Sequence, residues 1–184
     1  QAFDKAGKMW DSTSYKTHHL SFFYLERGDG GSNCKIKFNL PVKPSKAIDI
    51  EKETLGTIDE NKKFQFQLFV DSSPTPHQGK YSVYNAYTNQ VVDPDVPIEN
   101  NGVIKLTRGQ FARVQDNSFT DDTRYTVREL NSSDYTVSAN GSPMTQQGSG
   151  DNAYAETGPF TVGTTSHVTI VNSNVKPSNN KSIV

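Results

Sequence analysis

A single cysteine in 184 residues leaves this chain without an internal disulfide, since Cys34 has nothing to pair with. No apolar run approaches the roughly 18 residues that a membrane-spanning helix requires, and no signal peptide opens the sequence. Lys and Arg number 19 against 20 Asp and Glu, a net charge of −1. That balance removes the electrostatic reason to expect nucleic acid or a membrane surface as a partner. Hydrophobic residues make up only 33%, so the core is thin. The length suits one domain, or one domain plus a fragment of another. The sequence begins abruptly at Gln1 and reads as an excised piece of something longer.

The commoner chemistries also lack their residues. His18, His19, His77 and His167 show no metal-ligand spacing beyond one adjacent pair, and read as surface histidines. Asp121-Asp122 and Asp93-Pro94-Asp95 lack the alternating oxygen ligands of a calcium loop. No Gly-x-Ser-x-Gly elbow and no Ser/His/Asp order is evident. Neither metal nor cofactor is expected.

What is present favours strands. Ser, Thr, Asn, Asp and Gln alternate with aromatics and Val, a mixture that packs well on a pleated surface. Turn signals recur at short intervals, among them Gly28-Asp29-Gly30-Gly31, Ser72-Ser73-Pro74, Asp93-Pro94, Asn100-Asn101-Gly102 and Asn140-Gly141. Short strands with such punctuation indicate a sandwich or barrel. The expected strands are 47–54, 62–70, 80–85, 102–106, 111–115, 123–130, 134–139, 157–162 and 166–172. Residues 18–40 read as a separate hairpin, and the prolines of Pro41-Val42-Lys43-Pro44 disfavour further pairing. The expected division is therefore a terminal hairpin fragment in 1–43, a β-sandwich in 44–175 and a linker or tail in 176–184.

Residues two apart on a half-buried strand share a face. Ile48 and Ile50 face the core, which carries Lys52 to the same side. Tyr125 and Val127 do the same for Glu129, and Val168 and Ile170 for Asn172. Burying an unpaired Lys or Glu costs several kcal/mol, so three such groups are expected to satisfy one another. Together they can also react. Desolvation lowers the pKa of a lysine and raises that of a glutamate, giving a neutral amine beside a protonated acid. The amine can attack the carboxamide while the acid polarises it and moves protons, and ammonia leaves a Lys–Asn isopeptide bond. Strand ends also turn polar residues out to solvent, so spacing alone leaves that plainer reading open. Asn174 shares the face of Asn172 and is an alternative acceptor.

Several segments resemble the collagen-adhesin B-type (CnaB-like) domains of Gram-positive surface adhesins and pilins. Ile48-Asp49-Ile50-Glu51-Lys52 resembles the opening strand and Phe64-Gln65-Phe66-Gln67-Leu68 the second. Gly102-Val103-Ile104-Lys105-Leu106-Thr107-Arg108-Gly109-Gln110 is similar to the family's G-x-x-x-L-x-x-G-Q stretch. Tyr125-Thr126-Val127-Arg128-Glu129 resembles its Y-x-V-x-E strand, and Val168-Thr169-Ile170-Val171-Asn172 its closing V-x-F-x-N. Ile170 and Val171 stand where the family more often has Phe and Thr, which keeps the inward apolar position. The resemblance implies a Greek-key, immunoglobulin-like sandwich in which Lys52 joins Asn172 and Glu129 promotes the bond. Further forward, His18 to Gly28 and Ser32 to Phe38 resemble the last hairpin of a fibro-slime domain.

These readings converge on a structural stalk or spacer module of a bacterial cell-surface adhesin or pilus, placed outside the cell at the cell wall. Such a module is not an enzyme, because its crosslink forms once within its own chain. The expected partners are neighbouring domains of the same surface protein, with the fragment itself monomeric. The alternative is a β-sandwich binding module that recognises glycan or host protein. In that case exposed loop aromatics such as Tyr87 or Tyr154 would carry the ligand, and Tyr81, Tyr84 and Tyr87 lie close enough in sequence to stack on sugar.

Overall fold

The computed structural model describes residues 46–99 and 101–175. The hairpin expected at 18–40 and the tail at 176–184 lie outside the described residues.

Within them the chain is almost wholly strand. β1 spans Lys46–Leu55, β2 Phe64–Val70, β3 Lys80–Asn85, β4 Val91–Pro97, β5 Val103–Leu106 and β6 Gln110–Asp116. β7 follows at Arg124–Leu130, β8 at Thr136–Ala139, β9 at Ser142–Pro143 and β10 at Thr145–Gln147. After a 3-10 turn at Gly150–Asn152 come β11 at Tyr154–Glu156, β12 at Phe160–Thr161 and β13 at His167–Ser173. One sheet runs β4-β3-β6-β1-β13-β8-β9, and the other β10-β11-β7-β2-β5 with β12 added to β7. The two form the expected Greek-key, immunoglobulin-like sandwich.

Alternation explains which faces meet. Ile48, Ile50, Ala112, Val114, Val168 and Ile170 of the first sheet are buried against Phe66, Leu68, Ile104, Leu106, Tyr125 and Val127 of the second. β1 and β13 pair in parallel, with Lys52 level with Ile170 and Thr54 level with Asn172. All other pairings are antiparallel. A parallel pair between the first and last strands sets those strands side by side in the middle of one sheet, with Ser173 level with Leu55 and Lys46 at the opposite end of β1.

Two differences from the expected strands have clear causes. Asp93-Pro94, expected as a turn, lies inside β4. That strand is at the sheet edge and largely exposed, where a missing N–H costs no ladder bond. Its pairing with β3 is also irregular between Tyr81 and Tyr84. The strand expected at 157–162 shrinks to Phe160–Thr161. Gly158-Pro159 interrupts it, and Thr157 instead receives the Val127 N–H on its side-chain Oγ1 at 3.0 Å. No helix among the described residues is long and apolar enough to cross a membrane.

Candidate functional site

Lys52, Glu129 and Asn172 meet in the core between the sheets. β1 brings Lys52, its neighbour β13 brings Asn172, and β7 of the facing sheet brings Glu129. Their exposures are 0%, 1% and 0%. The alternation that buries Ile48 and Ile50 leaves Lys52 no route to water, and the same holds for Glu129 behind Val127 and Asn172 behind Ile170. In the parallel register Asn172 lies two residues beyond the level of Lys52. That offset is roughly 6.6 Å along the strand, a distance that the four methylenes of a lysine can cover.

The contacts form a chain. Lys52 Nζ donates to Asn172 Oδ1, and Asn172 Nδ2 donates to Glu129 Oε1. Nζ also donates to the Ile170 carbonyl at 3.3 Å. Glu129 Oε2 lies 3.5 Å from Nζ and has no hydrogen-bond partner among the described residues. The carboxamide thus lies between the two, with its oxygen on the amine and its nitrogen on the carboxyl.

Burial shifts both groups toward their neutral forms. It pushes the Lys52 amine down to about 8, although the charges of Glu129 and Glu53 pull the other way. It pushes the Glu129 carboxyl up, against the opposing pull of Lys52, Asn172 and Lys62. Relative to an ordinary lysine near 10.5, the share of free amine at neutral pH rises. This is the direction required of a nucleophile paired with a general acid. Phe64 and Phe66 complete the apolar wall, their ring centroids 4.3 and 5.9 Å from Nζ.

The turn before β6 holds the backbone of Lys52. Gly109 N–H donates to the Lys52 carbonyl at 2.9 Å. Its φ is +72°, a left-handed conformation that favours glycine.

Other candidates are used elsewhere. Asn174 is exposed, and its carboxamide is bonded to Thr57 on both sides, accepting from the backbone N–H at 3.1 Å and donating to the carbonyl at 2.7 Å. Tyr81 is buried, Tyr84 stacks on Phe111 at 4.8 Å, and the exposed Tyr87 donates its hydroxyl to Glu53 at 2.7 Å. One face of Tyr154 is covered by Arg128 at 4.1 Å. His167 sits 2.6 Å from Glu51, and His77 3.6 Å from Asp116. Asp121 pairs with Lys46 at 2.8 Å. Among the described residues no cluster of His, Cys, Asp and Glu is arranged to hold a metal ion.

Sequence reasoning singled out no role for Phe64, Lys62 or Tyr135. The Phe64-x-Phe66 alternation marks an inward ring, but nothing local signals that Lys62 reaches Tyr135, 73 positions on.

Solved structures similar to the chain include the major pilin of Streptococcus pyogenes, at 19% identity and a TM-score of 0.47, covering 72% of this chain and 48% of that one. The pilus-presented adhesin Spy0125 (Cpa) is similar at 16% identity and 0.47, covering 74% and 28%. A second Streptococcus pyogenes major pilin, T3.2, is similar at 15% identity and 0.40, covering 71% and 45%. The chain thus spans less than half the length of each. No curated protein matches it. The family model described as "Domain of unknown function (DUF7601)" matches residues 46–174. Over that span, which holds the whole sandwich and all three buried polar residues, the chain belongs to the DUF7601 family.

Proposed function

We propose that this domain is a CnaB-like stalk or spacer module of a bacterial cell-surface adhesin or pilus, closed by a spontaneous isopeptide bond between Lys52 and Asn172. One observation carries the reading: an amine, a carboxamide and a carboxyl are in mutual contact in a pocket from which water is excluded. A fold with a modest core gains nothing from three such burials unless they do chemistry or satisfy one another.

The reaction balances within the chain. The free pair on Lys52 Nζ attacks Asn172 Cγ, and a C–N bond forms. Glu129 supplies a proton to the carboxamide and takes one back from the attacking nitrogen. The Cγ–Nδ2 bond breaks, Nδ2 leaves as ammonia, and the secondary amide Nζ–Cγ remains. Each end of the carboxamide is useful to Glu129, since the carbonyl oxygen must be polarised and the amide nitrogen protonated. The event happens once per chain, so the module is not an enzyme.

The mechanical consequence follows from topology. The bond joins the first and last strands, and a loop of that length stabilises by roughly 4–5 kcal/mol on the chain-entropy account of crosslinks. A load entering at β1 and leaving at β13 passes through the bond, and residues 53–171 carry none of it. Neighbouring domains of the same surface protein are the partners such a module transmits force between. The test is the intact mass of the purified folded chain: about 17 Da below the calculated value is the loss of one ammonia. An unshifted mass would remove the crosslink from the account.

A further inference from the structure

A stack of side chains leads from the half-buried surface to the Lys52 amine. Phe64 is 4% exposed, and its ring lies against Nζ at 4.3 Å. Tyr135 meets Phe64 edge-on, with centroids 6.1 Å apart and planes at 64°. The Tyr135 hydroxyl accepts a hydrogen bond from Lys62 Nζ at 2.6 Å. The Lys62 ammonium also lies 4.7 Å from the Tyr135 ring and 5.7 Å from that of Phe64. Lys62 and Tyr135 are both half-buried.

These residues do not belong to one rigid strand. Lys62 precedes β2, and Tyr135 sits in the turn before β8, where its N–H donates to the Ser132 carbonyl at 3.1 Å. A ring on a turn is free to swing unless something fixes it. Here Tyr135 packs against the core, and its hydroxyl is tied to the Lys62 ammonium, which also lies within cation–π range of the Phe64 ring.

We propose that Tyr135, held by Lys62, is a lid over the Phe64 side of the crosslink pocket and a positioning residue for Lys52. It acts through Phe64, keeping water from the amine so that its lone pair stays free for Asn172. The inference rests on the crosslinking reading above and adds the residues that keep the site dry.

The experiment uses a chain carrying Asn172→Ala, in which Lys52 remains a free amine. Each lysine is modified with trinitrobenzenesulfonate at pH 8, and peptide masses report its rate. In this parent Lys52 should react far more slowly than the exposed Lys63. Adding Tyr135→Ala should speed Lys52 by at least about tenfold while leaving Lys63 and Lys105 unchanged. A Lys52 no faster than in the parent overturns the lid, as does a parent in which Lys52 already reacts like Lys63. Should every lysine accelerate together, Tyr135→Ala has lost the fold, and Tyr135→Phe decides. That variant keeps the ring but releases Lys62, so Lys52 alone should gain about threefold; no gain overturns the proposal. An unshifted mass of the unaltered chain would count against the crosslink and not against the lid, so the two failures are distinguishable.

Discussion

Lys52 and Asn172 stand 120 positions apart in the chain and on adjacent parallel strands, with the amine of one bonded to the carboxamide oxygen of the other. Nothing else in the described fold joins the first strand to the last through side chains buried to this degree. A covalent bond here would fix the pairing that closes the sandwich.

Removing either reactant should prevent that closure. Lys52→Ala and Asn172→Ala are each expected to show the full calculated mass. Loss of a crosslink spanning this loop should lower Tm by on the order of 10–20 °C. Thermal unfolding of the variants beside the unaltered chain measures it.

Glu129→Gln separates chemistry from packing. Glutamine fills nearly the same space and keeps one hydrogen bond to Asn172, but it cannot give and take a proton. The variant is expected to fold and to retain its ammonia. A normal ammonia loss in Glu129→Gln would show that the proton moves by another route.

Lys52 also sets a pH dependence that only the uncrosslinked chain can show. Its folded pKa is pushed down by burial to about 8 from 10.5. Between those values the unfolded amine holds a proton that the folded one has released, so stability rises with pH across that window. In Asn172→Ala the gain should approach roughly 3 kcal/mol between about pH 8 and pH 10.5. In the crosslinked chain Lys52 is an amide nitrogen and contributes nothing. The difference in Tm between the two chains at pH 8 and pH 10 is the readout.

His167 gives the opposite slope at lower pH. The Asp49 carboxylate, 3.6 Å from its Nδ1, raises its pKa, burial opposes this, and the hydrogen-bonded Glu51 adds to the rise. Asp49 in turn is bound by Arg113 at 2.7 Å. The stabilisation from His167 is therefore complete below about 6.5 and lost as pH climbs through the raised folded value. With its side chain 41% exposed, solvent screening holds the effect below about 1 kcal/mol. His167→Gln should flatten this part of the pH profile of Tm.

Much of the fold and the site was legible because it depends on a period of two. The runs Ile48-x-Ile50-x-Lys52, Tyr125-x-Val127-x-Glu129 and Val168-x-Ile170-x-Asn172 state both the strands and the shared inward face. β4 was not legible, since prolines that forbid a central strand are harmless at an exposed edge. Tyr154–Glu156 was missed because three residues carry too little alternation to register. The Lys62–Tyr135–Phe64 stack lay beyond reach for a different reason: it joins loops and strands that only tertiary packing brings together. Asn174 shows the limit of the same period, because β13 ends at Ser173 and the next side chain turns to Thr57.

Mechanical extension offers a test that does not depend on heating. Pulled from both ends, a crosslinked chain keeps residues 53–171 folded, and its trace lacks a lengthening step of roughly 400 Å. Asn172→Ala should restore that step.

The most direct measurement is a protease map of the folded, purified chain by tandem mass spectrometry. The bond predicts one branched peptide in which the segment containing Lys52 is joined to the segment containing Asn172, lighter than the sum of the two by one ammonia. Linear peptides carrying free Lys52 and intact Asn172, recovered in full from protein shown to be folded, would contradict the account.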